Sequence, residues 1–303
     1  MYLHPPGRAK RFRSPEREHS EISQQTNFRR SNSVKTVRDI IYSEEAPRMC
    51  RLDAYIPDRV TNAYLYIHGG GNTHGDKCTP RTETLFRSLC ESGILVLSVN
   101  YRFMKVTDRD ITPRKEADPA PGENGVDYPV FIDDCAKACR WAFAEGRKLA
   151  PFSKLFIGGS SAGGYITMML HLNKTHLSAF GIDADTDIAG YIYDAGQPTT
   201  HFHMLELEGE YAHRVLIDER APVWYLKKPF EEPEKLPKVL FVVAENDMPN
   251  RAKQNELMLE IMRNFGYPEE KLGFHTMAGY GHCKYLSDPE YIRLTREFIL
   301  GSV

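Results

Sequence analysis

Two adjacent serines, Ser160 and Ser161, stand among glycines in the stretch IGGSSAGGY at 157–165. A serine hydroxyl attacks a carbonyl only if a base takes its proton and donors stabilise the oxyanion that follows. A sharp strand-to-helix turn presents such a hydroxyl, and its cramped backbone requires glycine two residues to either side. Ser161 has Gly159 and Gly163 at those positions, whereas Ser160 has Gly158 and Ala162. The spacing therefore assigns the nucleophile to Ser161. Its place at the start of a helix aims backbone N–H groups at incoming negative charge, and the Ala162 amide is one such donor. A phosphate loop is excluded, because the G-x-x-x-x-G-K-[ST] spacing and its lysine are absent.

A second glycine turn, His68-Gly69-Gly70-Gly71, follows the apolar run NAYLYI. Successive glycines let backbone amides approach a ligand without Cβ obstruction. The acid and base are expected to follow the nucleophile in that order. Asp247 ends the strand pattern KVLFVVAEND, and His282 lies in a loop, AGYGHC, before the last helical segment. Asp247 would accept from one imidazole nitrogen so that the other faces Ser161. Glu245 and His275 are weaker rivals, because both fall inside strands.

These residues need a scaffold of alternating strands and helices. Strands are predicted in TVRDIIYS and CRLDAYIP, which pair as a hairpin, and then in NAYLYIH, ILVLSVNY, KLFIGG, IAGYIYDAG, KVLFVVAEND and KLGFHTMAG. Helices are predicted over TLFRSLCESG, from Pro129 to about Leu149, and after the Ser160–Ser161 turn. Two more are predicted over AKQNELMLEIMRNFG, with Leu257, Ile261 and Phe265 in line, and over SDPEYIRLTREFIL, with Ser287 as N-cap. The fold class is therefore α/β, a mostly parallel sheet with helices on both faces. Residues 198–236 break the alternation and read as a small inserted cap. The proline-punctuated segment 105–128 reads as a long functional loop. Residues 1–34, rich in Arg, Ser, Gln and Pro, read as a polar basic arm preceding the 35–303 domain. Contact of that arm with a second copy of the chain, in a homo-oligomer, is the alternative to a solvated leader.

A net charge of −2 on 303 residues gives no electrostatic reason to expect nucleic acid or an anionic membrane as partner. No apolar run reaches bilayer length, and the start of the chain lacks a signal-peptide core, so a cytoplasmic protein is expected. Cys135 and Cys139 share an apolar stripe with Ile132 and Phe143, and the six cysteines read as free thiols. His201 and His203 are the only close histidine pair and lack a further ligand at metal spacing. Neither a metal nor a cofactor is expected.

HGGG, SVNYRF, IGGSSAGGY, AEND and GYGH together resemble α/β hydrolases of the carboxylesterase group. That group includes hormone-sensitive-lipase-like and acetylxylan/feruloyl-esterase-like families, and the resemblance covers about residues 35–303. It implies an α/β-hydrolase fold, an oxyanion hole formed by Gly70, Gly71 and Ala162, and a small-molecule ester as substrate, with acetyl esters of saccharides one candidate. The chain departs from the first family in having Ser160 where an acid usually precedes the nucleophile. It departs from the second in having Asn72 where a bulky aromatic often follows HGGG. Both departures bear on the substrate and leave the mechanism intact. Another serine hydrolase chemistry, of the arylformamidase or oligopeptidase kind, and a silent ligand-binding protein are the alternatives. The 105–128 loop and the cap would frame the acyl pocket, with His201, Trp224 and Tyr225 as candidate wall residues.

Overall fold

The computed structural model describes residues 34–105 and 125–301. The arm at 1–34, except Val34, and most of the 105–128 loop therefore lie outside the described residues. Eight strands form one sheet: β1 Lys35–Ile41, β2 Arg51–Ile56, β3 Asn62–Ile67, β4 Ile94–Val99, β5 Leu155–Ser160, β6 Ile188–Asp194, β7 Lys238–Asn246 and β8 Leu272–Gly281. Their spatial order is β1-β2-β4-β3-β5-β6-β7-β8. β1 pairs antiparallel with β2, as the hairpin pattern predicts, and β2 also pairs antiparallel with β4. The other neighbouring pairs are parallel. β4 and β5 are buried at every position, which fits central strands covered on both faces and explains their unbroken apolar or small-residue runs.

The longer helices are α1 Pro80–Glu91, α2 Val130–Trp141, α3 Ala162–Leu172, α4 Phe202–Leu207, α5 Arg251–Asn264 and α6 Pro289–Leu300. Thr79 and Thr82 cap α1 reciprocally, and Gly93 beyond its end has φ +85°, a conformation costly for residues with a Cβ. α2 continues through a π-turn at Ala142–Gly146 to Leu149, the end the sequence predicts. Among the described residues no helix is long and apolar enough to cross a membrane.

Two local expectations are corrected. Leu257 on α5 is 57% exposed, and the buried face carries Asn255, Met258, Leu259 and Met262 instead. Asn255 is buried because its amide donates to the Gly196 and Arg251 carbonyls, both at 2.9 Å. Arg251 is buried for a similar reason, donating to the Ala195 carbonyl and to Gln197 Oε1. Ile261 and Phe265 of the predicted stripe do pack against the core, partly buried, so the polar anchors displace only its Leu257 end. At α6 the N-cap is Asp288, not Ser287, since the Asp288 carboxylate accepts from the Glu290 amide at 2.8 Å. A carboxylate also complements the positive end of the helix dipole.

Because β3 to β8 run the same way, the residues that follow β3, β5, β7 and β8 emerge along one edge of the sheet. That edge is where open parallel sheets gather their functional loops.

Candidate active site

Ser161 sits between β5 and α3 with φ +56° and ψ −114°, a backbone conformation that residues with a Cβ seldom adopt. The turn is held against the end of β3, where Ile67 pairs with Gly159. A Cβ on Gly159 would lie 2.4 Å from the Ile67 carbonyl oxygen, and one on Gly163 only 2.0 Å from it. The glycines at −2 and +2 are thus imposed by close backbone approach. The strain at Ser161 pushes its side chain out toward the loops.

The doublet resolves sharply. Ser160 is 3% exposed and its Oγ lies 2.8 Å from Tyr66 Oη, beneath the turn. Ser161 is half-buried, and its Oγ lies 2.8 Å from His282 Nε2. His282 Nδ1 lies 2.6 Å from Asp247 Oδ1. With the proton assigned to Nδ1, the imidazole donates to the carboxylate and accepts from the serine hydroxyl. Asp247 also accepts from the Ala244 amide at 3.0 Å and the Met248 amide at 2.7 Å. Burial alone would raise its pKa, but the His282 hydrogen bond and these two amides outweigh that and hold the carboxyl below its ordinary value. The rivals lie elsewhere. Glu245 accepts from the Gly279 amide at 2.7 Å, and His275 Nε2 lies 3.2 Å from Glu290 on α6.

The His68–Gly71 loop covers the serine. A Cβ on Gly69 would come within 3.1 Å of the Ser161 Cβ. The Gly70 carbonyl accepts from the Thr73 and His74 amides, closing a helical turn. Among the described residues, the Gly70 and Gly71 amides donate no hydrogen bond. Ala162 is the first residue of α3, where amides have no intrahelical acceptor. The loop is braced from below: Tyr101 stacks on the His68 ring at 4.6 Å and donates its hydroxyl to the His68 carbonyl at 3.0 Å. Burial lowers the His68 pKa to about 4, so the ring is neutral near neutral pH, and Nδ1–H donates to the Gly69 carbonyl at 2.6 Å.

Among the described residues, no hydrogen bond or ring contact links the three wall candidates to Ser161, Asp247 or His282. His201 is 1% exposed, caps α4 and packs on Tyr165 with ring centroids 5.3 Å apart. Tyr225 Oη accepts from Asn173 Nδ2 at 3.1 Å, and Asn173 caps the far end of α3. The 11 residues of that helix separate Asn173 from Ser161, and the twelve steps between them span about 18 Å at 1.5 Å per residue. Trp224 is adjacent and 38% exposed, with the Lys227 ammonium 4.3 Å from its ring centroid. The residue that does meet the glycine loop is His203, whose Nε2 would lie 2.9 Å from a Cβ on Gly71. The sequence pairs His201 and His203 without saying which one turns outward.

Next to the loop, Asn72 accepts at its carbonyl from the Met104 amide at 2.7 Å. Met104, Val126 and Tyr128 on one side and Met204, Leu207 and Arg220 of the β6–β7 connection on the other line a cleft of about 300 Å³. A larger hollow of about 810 Å³, lined by Lys154, Ile188 and Pro237, lies at the opposite ends of the strands and is remote from Ser161.

Comparison with known proteins agrees with this architecture. A family model described as the alpha/beta hydrolase fold matches residues 125–268, a span that contains Ser161 and Asp247 but neither the glycine loop nor His282. A tuliposide B-converting enzyme of Tulipa gesneriana is 30% identical over 144 residues, 44% of this chain and 27% of that protein. A probable carboxylesterase of Arabidopsis thaliana is 28% identical over 148 residues, 43% of this chain and 40% of that protein. The matches thus span less than half the length of either relative. A truncated carbohydrate esterase from gut microbiota superposes with a TM-score of 0.64 at 16% identity, covering 89% of this chain and 96% of that one. The chain has the α/β-hydrolase fold, and the part of it that matches curated proteins is similar to a tuliposide B-converting enzyme and to a probable carboxylesterase.

Proposed function

We propose that the chain is a serine esterase acting through an acyl-enzyme on Ser161. The observation that carries this reading is His282, which bridges Ser161 Oγ and the Asp247 carboxylate at 2.8 and 2.6 Å. In acylation, Ser161 Oγ attacks the ester carbonyl while its proton passes to His282 Nε2. The amides of Gly70, Gly71 and Ala162 stabilise the resulting oxyanion. The C–O bond to the alcohol breaks, and His282 returns the proton to the departing oxygen. Water, deprotonated by His282, then attacks the acyl group and releases the acid and free Ser161. Asp247 keeps the ring oriented and stabilises the imidazolium.

We assign the acyl chain to the cleft lined by Met104, whose amide bonds the Asn72 carbonyl beside the glycine loop, and its volume of about 300 Å³ suits a short chain. Acetylated saccharides are the alcohol class to test first, given the resemblance to acetylxylan and feruloyl esterases and the likeness in fold to a carbohydrate esterase. A panel of nitrophenyl esters from acetate to decanoate, acetylated saccharides, an aminoacyl anilide and an N-formyl arylamine is the direct experiment. Turnover is expected to be fastest on the short esters and to fall with chain length. Fast anilide or formamide hydrolysis with inert esters would overturn the esterase reading.

The ionisation of Asp247 gives a second expectation. Its folded pKa lies below its unfolded one, so its contribution to stability is present above the ordinary carboxylate pKa and is lost as pH falls through the lowered folded value. Tm of the wild type should therefore fall on acidification more steeply than that of Asp247→Asn. Parallel acid limbs of the two melting profiles would contradict this.

A further inference from the structure

Asp194 ends β6, opposite Ser160 in the neighbouring strand, and is fully buried. Its backbone carbonyl accepts the Ser161 N–H at 2.8 Å. Its carboxylate accepts two tyrosine hydroxyls, Tyr285 on Oδ1 at 2.5 Å and Tyr291 on Oδ2 at 3.0 Å. Tyr285 lies three residues beyond His282 in the same turn, whereas Tyr291 belongs to α6. One residue therefore holds the main chain of the nucleophile with its carbonyl and the histidine's loop with its side chain.

We propose that Asp194 is a positioning residue that sets the Ser161–His282 contact through Tyr285. This deepens the esterase reading and rests on it. A buried carboxylate without a cation is a poor source of stability. The buried Arg251 guanidinium is directed instead at the Ala195 carbonyl and Gln197. What the carboxylate supplies is direction, because it fixes two hydroxyls that approach from different elements. Catalysis is sensitive to such placement, since a 1 Å error can cost about 10²-fold in rate.

The titratable groups around Asp194 are Tyr64 and Tyr66 from β3, Asp247 after β7, Cys283 and Tyr285 after β8, and Tyr291 from α6. Burial, opposed by the two tyrosine hydrogen bonds and aided by the Asp247 charge, pushes the Asp194 carboxyl up to about 7. Protonation removes one acceptor site, so the hold on Tyr285 loosens below neutrality. Stability has the opposite sign. With its folded pKa above its unfolded one, Asp194 contributes stability that is fully present below the ordinary carboxylate value and is lost as pH rises to about 7.

The two tyrosines provide the test. Tyr285→Phe and Tyr291→Phe each remove one hydroxyl from the same carboxylate, but only Tyr285 shares a turn with His282. In Tyr285→Phe we expect kcat on nitrophenyl acetate to fall about tenfold, with KM within about twofold of wild type. Labelling by a fluorophosphonate should slow by a similar factor. Tyr291→Phe should lower Tm comparably and leave kcat within about twofold. Asp194→Asn should flatten the decline of Tm between pH 4 and pH 7. Wild-type kcat in Tyr285→Phe, or equal losses of kcat in both tyrosine variants, would overturn the positioning role. If wild type neither turns over esters nor takes the label, the esterase reading fails separately. The role of Asp194 is then decided by the downfield NMR resonance of the His282 Nδ1 proton. Broadening of that resonance in Tyr285→Phe but not in Tyr291→Phe supports the role, and equal behaviour of the two refutes it.

Discussion

Replacing Ser161 with alanine is expected to lower kcat/KM for a short ester by at least about 10³-fold, with Tm close to wild type. The loss is large because no other hydroxyl shares the position. Ser160, its immediate neighbour, points beneath the turn to Tyr66 Oη at 2.8 Å and makes no contact with His282. Ser160→Ala forfeits one buried hydrogen bond, about 1 kcal/mol of stability, and should keep activity within a few-fold. His282→Ala should lose about as much activity as Ser161→Ala, and the double variant little more, because the two residues act as one unit. Steady-state kinetics on purified variants, with thermal melts alongside, check each of these. Near-wild-type turnover in Ser161→Ala would contradict the assignment outright.

The largest effect on stability is expected at Gly163. An added Cβ would stand 2.0 Å from the Ile67 carbonyl oxygen and 2.8 Å from that of His68, both main-chain atoms at the end of β3. Neither can retreat easily, since β3 is paired on one side with β4 and on the other with β5. Side-chain overpacking typically costs 1–3 kcal/mol; a clash with backbone held from both sides should cost more than about 3 kcal/mol. Gly163→Ala is therefore expected to unfold at a much lower denaturant concentration, or to fail to accumulate as soluble protein. Gly181→Ala is the matched control. Its φ is +73° but nothing lies within 4 Å of the added atom, so only the conformational penalty of about 1 kcal/mol applies. An unfolding midpoint for Gly163→Ala equal to that of the control would show that the elbow is not packed as described.

The contrast between these glycines explains what was readable in advance. The elbow is a local steric problem, so the spacing of Gly159, Ser161 and Gly163 states it openly. Asp247 and His282 were legible for a different reason: parallel strands place their following residues along one edge, so chain order and strand ends stand in for distance. Where position depends on a partner far away in sequence, the pattern misleads. Leu257 fits an apolar stripe yet faces outward, because Arg251 and Asn255 tie α5 to the Ala195–Gln197 segment. Tyr225 belongs to the predicted cap segment but bonds the far end of α3, and Trp224 beside it is 38% exposed under the Lys227 ammonium. His201 and His203 are alike in sequence, and only the start of α4 decides that His203 meets Gly71. Asp194 carries no signal at all in the string IAGYIYDAG. Its importance lies in Tyr285 and Tyr291, some ninety residues away, closing on it from another loop and helix.

On the proposed mechanism one serine of the doublet is an activated nucleophile, and a fluorophosphonate probe tests this without knowledge of the natural ester. The probe bonds covalently only to a serine whose proton a neighbouring base can take. Wild type and Ser160→Ala should both be labelled, with the adduct on Ser161 by peptide mass spectrometry, and Ser161→Ala should remain unlabelled. Label persisting in Ser161→Ala, or an adduct on Ser160 in the wild type, would contradict the account.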